Sequence, residues 1–166
     1  MINTIEEFNK NWESESNNTL KLLKSLTNAS LNQKVWEEGR TLGEIAWHIV
    51  NTIPEMSNHS DLKIFESVIT DEIKKDTQTL VNSYIEVSQS LLKEAESKWN
   101  NDCLVEEVDM YGEKWSKGMI LQAVIAHEIH HRGQMTILMR QANLKVPGMY
   151  GPSKEEWEIY GMSPQK

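Results

Sequence analysis

The sequence predicts an all-α fold: a four-helix bundle with a long connection, in a single domain spanning residues 1–166. Three observations predict it. Apolar residues recur at helical spacing in four separate segments. Helix-start signals precede three of those segments. Alternating β-branched runs that would build a sheet are scarce. A chain of 166 residues is long enough to bury a sizeable core.

The first helix follows Thr4 and Glu7, which are spaced as a capping box. Ile5, Phe8, Trp12, Leu20, Leu23 and Leu26 carry its apolar rhythm to about Thr27, weakened across the polar run Glu13 to Asn18. Residues 28–40 read as a connection. Thr41 and Glu44 form a second capping box, and Leu42, Ile45, Ile49 and Ile53 give the second helix its apolar face. Pro54 is expected to kink or end it. Residues 57–75 are mixed, with short helical turns. The third helix is expected over about Thr77 to Lys98, on Leu80, Tyr84, Val87, Leu91, Leu92 and Ala95. Tyr111-Gly112 predicts a turn, with a small hairpin around it in residues 102–116. Ser116 caps a fourth helix over about 117–142. The tail from Val146 to Ser153 is rich in turn residues, and Ser153 is expected to cap a last short helix through Trp157.

Charge and composition exclude several classes of function. The chain has 17 Lys+Arg against 25 Asp+Glu, a formal charge of -8. Binding along a phosphate backbone needs a basic surface, so no nucleic-acid partner is expected. The single cysteine, Cys103, excludes an intramolecular disulfide framework and fits a reducing, cytoplasmic setting. Its neighbours Asn101 and Asp102 do not favour a thiolate. The first residues show no basic region and no long apolar run, which predicts no signal peptide and no membrane partner.

The chemistry is concentrated in residues 127–134, His-Glu-Ile-His-His-Arg-Gly-Gln, which hold three of the five histidines. His127 and His131 are four residues apart, about 5–6 Å between Cβ atoms on a helix. Imidazoles at that spacing can grip one metal ion. His131 falls inside the apolar stripe and His127 at its edge, about 40° away, while His130 points elsewhere. A catalytic metal usually takes a third protein ligand. His48, bordering the apolar face of the second helix, is chosen over His59, which lies in the polar stretch Ser-Asn-His-Ser-Asp. The bland alternative is that these histidines are only hydrogen-bonded at a helix contact.

His127, Glu128 and His131 also spell the zincin pattern, in which the glutamate is a general base. A zincin needs a third ligand further along, and only Glu155, Glu156 and Glu158 offer one on paper. It also needs a sheet, which this sequence does not supply, so the peptidase is the weaker alternative. Glu128 falls near the middle of the apolar stripe, as a buried polar partner or beside the metal. Arg132 and Gln134 read either as tuning groups around the site or as a surface charge and a helix contact. Gly133 costs about 1 kcal/mol against alanine in a helix, and close packing of a neighbouring helix would explain it.

Four segments resemble the DinB-like metalloprotein family. They are His-Glu-Ile-His-His-Arg-Gly-Gln-Met at 127–135, Leu-Lys-Val-Pro-Gly-Met-Tyr-Gly-Pro at 144–152, Tyr-Gly-Glu-Lys-Trp at 111–115 and Glu-Ile-Ala-Trp-His at 44–48. The resemblance covers nearly the whole chain. It implies a bundle that is not simply up-and-down. It implies a divalent transition metal (Zn, Ni or Fe) held by three histidines, which map to His48, His127 and His131. It also implies a homodimer. Similar bundles include thiol-dependent transferases and an isomerase, so the resemblance implies a small-molecule substrate and a low-molecular-weight thiol cosubstrate. The alternative is a non-catalytic metal-binding stress protein.

Overall fold

The computed structural model describes residues 1–65 and 75–163. Part of the mixed stretch expected over residues 57–75 therefore lies outside the described residues. Helix α1 (Ile5–Lys24) begins where Thr4 accepts from the Glu7 backbone N–H at 3.0 Å. The Glu7 carboxylate returns to the N–H of Asn3 (2.9 Å) rather than to that of Thr4, so only half of the expected box forms. The helix runs unbroken through the polar segment from Glu13 to Asn18. That segment stays helical because it faces a buried polar network: Asn18 and Thr19 are buried, and Glu15 pairs with Arg132.

Helix α2 (Leu42–Ser57) starts with the complete capping box of Thr41 and Glu44. It does not stop at Pro54. The proline sits in the last turn, where only one intrahelical bond is lost, and the helix continues to Ser57. Helix α3 (Thr77–Lys98) is capped by Asp76, whose carboxylate accepts from the Thr79 N–H at 2.8 Å. Strands β1 (Glu107–Met110) and β2 (Glu113–Ser116) form the expected antiparallel hairpin. Its two-residue loop, Tyr111-Gly112, has φ of 54° and 86°. Positive φ at both positions is the type I′ geometry that matches strand twist. Ser116 then caps α4 (Lys117–Gln141), accepting from the Met119 N–H at 3.2 Å. The last short element is a 3-10 turn, Trp157–Tyr160, with no side-chain cap. Ser153 is not its cap. The Glu156 carboxylate instead gathers the Gly148 and Ser153 backbone N–H groups and shapes the tail.

The main packing pairs are α1 with α3, α1 with α4, α2 with α3, and α2 with α4. Two of the three pairs consecutive in sequence, α1 with α2 and α3 with α4, therefore lie across the bundle diagonal, while α2 and α3 are neighbours. This is the departure from simple up-and-down order that the family resemblance implied, and it sets α2 directly against α4. Phe8, Trp12, Leu22, Leu42, Ile49, Leu80, Tyr84, Leu91, Ile120 and Met135 fill the centre. Each large apolar side chain buried there contributes about 1.5–3 kcal/mol. No helix among the described residues is long and apolar enough to cross a membrane.

Candidate metal centre

Packing of α2 on α4 brings His48 to the pair His127 and His131. The Nε2 atom of His127 lies 3.1 Å from Nε2 of His48 and 3.1 Å from Nε2 of His131. The potential ligand atoms of all three lie within 4.8 Å of one another. His131 is buried, while His48 and His127 are half-buried. The remaining histidines stay outside the cluster. His130 is exposed, and His59 sits on the turn after α2, 3.8 Å from the Glu55 carboxylate and edge-on to Tyr111.

The far side of two rings fixes their tautomers. Gln134 Oε1 lies 2.7 Å from His131 Nδ1. An amide oxygen can only accept, so that Nδ1 carries the proton. Thr52 Oγ1 donates to the His48 carbonyl at 2.8 Å and lies 3.2 Å from His127 Nδ1. With its one proton engaged, the hydroxyl accepts from His127, whose proton is also on Nδ1. Both Nε2 lone pairs then face each other across 3.1 Å with no proton between them. Two acceptors at that distance repel, and a cation at their centre turns the repulsion into bonding. Tetrahedral Zn–N bonds of about 2.0–2.1 Å place neighbouring ligand nitrogens about 3.3 Å apart, so the spacing fits such an ion.

The electrostatics favour the neutral ring that a metal requires. Burial is the largest influence lowering His127, to about 4, and the neighbouring His131, His48, His130 and Arg40 push it the same way. Burial also lowers His48, aided by His131 and Arg40 and opposed by Glu55. For His131 burial again dominates, with the Gln134 bond opposing it.

Glu128 projects away from this cluster into the bundle centre. Thr19 donates to its carboxylate at 2.8 Å and Tyr84 at 3.1 Å. Burial raises its pKa from the ordinary carboxylate range to about 7, against the bonds from Thr19 and Tyr84 and the charge of Arg132. The carboxylate is committed to α1 and α3, which speaks against a zincin general base. The two-stranded hairpin is the sheet present among the described residues. Glu155 and Glu156 serve the tail, pairing with Arg140 and with backbone N–H groups. Arg132 is not the surface charge considered for it, nor does it reach the histidines. It is buried and bonds Glu15 and the Tyr150 hydroxyl. Gln134 does serve the cluster, and its Nε2 also reaches His130 at 3.1 Å. Gly133 is open: an added Cβ there would meet nothing within 4 Å, so no neighbouring helix explains it.

Sequence reasoning did not single out Thr52 or Arg40. Thr52 stands four residues after His48, at the spacing that shares a helix face, and that was the available signal. Arg40 lies in a segment without periodicity.

The family model for the DinB family matches residues 1–166. The chain belongs to the DinB family. This DinB-family protein is 39% identical over 166 residues to an uncharacterized protein, YrdA, of Bacillus subtilis (strain 168), covering 100% of this chain and 99% of that one. Its fold matches the crystal structure of a DinB-like protein from Bacillus cereus ATCC 10987 with a TM-score of 0.86 and 37% identity, over 90% of this chain and 100% of that one. A DinB-like protein from Bacillus subtilis, YjoA, shares the fold at a TM-score of 0.68 and 20% identity, over 86% of this chain and 97% of that one.

Proposed function

We propose that this DinB-family protein is a metal-dependent enzyme in which His48, His127 and His131 hold one divalent transition ion and a small molecule reacts beside it. The observation that carries this reading is the pair of tautomer-locked rings whose Nε2 atoms face each other at 3.1 Å. Three neutral imidazoles leave a bound divalent ion its full charge and open positions, so it supplies a Lewis-acid centre able to lower the pKa of a thiol or water. The protein's part is to fix the rings: Gln134 and Thr52 hold the Nδ1 protons and aim the Nε2 lone pairs inward. Zinc, nickel and iron all suit imidazole ligands.

Activation of a low-molecular-weight thiol or of water gives a transferase-like or a hydrolase-like reaction. Neither needs a protein nucleophile. Cys103 lies in the 3-10 turn Asn101–Val105 between α3 and β1. A screen of zinc- and nickel-loaded protein with small thiols and electrophiles tests the reading. Turnover that survives Cys103→Ala and disappears with His127→Ala supports it. Turnover that needs Cys103 and not His127 contradicts it. Full metal loading with no turnover across the screen favours the alternative, a non-catalytic metal-binding protein.

A homodimer is part of the proposal. Exposed Met119 and Ile129 put apolar side chains on the outward surface of α4. A helix apolar on its outward face as well as its inward one is suited to a second contact. Sedimentation at micromolar concentration tests this, and a monomer would count against it.

A further inference from the structure

Beside the histidine cluster a pocket of about 450 Å³ opens between residues 35–40 and α4, with His131, Gln134 and Leu138 along α4 and Trp36 and Arg40 on the opposite side. Its size falls in the usual range for small-molecule sites. Trp36 is 61% exposed, yet its ring is fixed from behind. A Cβ on Gly39 would meet the Trp36 ring at 2.9–3.1 Å, so the indole lies flat on the glycine backbone. A Gly39 N–H to Trp36 carbonyl bond of 3.0 Å closes the turn. An indole held on one face and open on the other is a ready platform for a flat group. Arg40, next in the chain, is exposed, and among the described residues its side chain makes no hydrogen bond or ion pair. Its charge is felt by all three histidines. Glu38 lines the same pocket, so charge preference there is a choice between two groups.

We infer that this pocket is the substrate site, and that it selects a small organic anion with a planar apolar body: the body on Trp36, the anionic group on Arg40, and the reacting end toward His131. The inference deepens the metal-dependent reading and rests on it only for the reacting end. A guanidinium with no hydrogen-bond or ion-pair partner among the described residues, lining the same pocket as His131, is suited to bind a carboxylate in a charge-assisted bond. The glycine under Trp36 sets the platform before any ligand arrives, which lowers the ordering cost of binding.

Phenylacetate and its neutral amide, phenylacetamide, serve as probes. Both are titrated into metal-free and zinc-loaded protein while the Trp36 indole N–H resonance, assigned through Trp36→Phe, is followed by NMR. The expected result is a saturable shift of that resonance, with phenylacetate bound at least about fivefold more tightly than the amide in both forms. Arg40→Gln should equalise the two probes, and Gly39→Ala should weaken both by displacing the indole. Equal binding of the probes to the wild type, a preference that survives Arg40→Gln, or an unmoved Trp36 resonance overturns the inference. Zinc stoichiometry in the same samples reports separately on the metal reading. Protein that takes up no zinc but keeps the Arg40-dependent preference upholds the pocket and sinks the metal site.

Discussion

Gln134 Oε1 lies 2.7 Å from His131 Nδ1, less than one helical turn along α4, and this bond decides which nitrogen of His131 faces the cluster. Without it the ring can turn over or carry its proton on Nε2, where a metal must bind. Gln134→Leu should therefore weaken metal affinity by about 10–100-fold while leaving the fold intact, since residue 134 is exposed. Chelator competition measures this. Unchanged affinity would mean that the bond does not orient the ligand. Thr52→Val should act in the same direction through His127.

Glu128 makes a pH prediction. Its carboxyl sits among Thr19, Tyr84 and Arg132, and burial raises it to about 7 from an ordinary 4.5. A raised pKa means that the folded state holds the proton more tightly than the unfolded state. The associated stability is fully present below about pH 4.5 and is lost as pH rises through about 7. Glu128→Gln stays neutral throughout, so the wild type should lose stability relative to the variant between pH 5 and 8, by an amount on the order of a few kcal/mol. Urea titrations of both proteins across that range test it. A constant difference would show that Glu128 does not titrate there.

Two glycines in α4 predict opposite signs for one substitution. A Cβ on Gly118 would come within 2.4 Å of the Ile2 carbonyl oxygen and 3.2 Å of that of Leu104, both backbone atoms. Gly118→Ala should destabilise by about 1–3 kcal/mol. Gly133 has open space around its Cβ position, so Gly133→Ala should stabilise by up to about 1 kcal/mol. Thermal melts decide both. A Gly133→Ala variant that melts lower than the wild type would point to a contact on that face, of the kind a dimer would supply.

Helix existence and most boundaries were legible because their signals are local. Thr41 with Glu44, and Ser116, announce helix starts within a few residues, and the apolar period does the rest. The diagonal placement of α1 against α2 and of α3 against α4 was not legible from periodicity, since an apolar stripe says that a face is buried and not against which partner. Pro54 misled because its cost depends on how near the helix end it falls. Glu13 to Asn18 looked like a weak helix because its polar residues answer Arg132, more than a hundred positions away. At the site, spacing made His127 and His131 candidates and the edge of an apolar face added His48, and the structure gathers these three side chains. The partners that lock the rings were harder. Thr52 acquires its role only from His127, 75 positions on, and Trp36 and Arg40 stand in a segment with no period to read.

The central claim is that three histidines, and no others, hold one ion. Metal content per chain, measured by inductively coupled plasma mass spectrometry on purified variants, tests it most directly. The wild type, His130→Ala and His59→Ala should each carry one divalent ion per chain, and His48→Ala, His127→Ala and His131→Ala should each lose it. Stoichiometric metal retained in His48→Ala and His131→Ala would contradict the account.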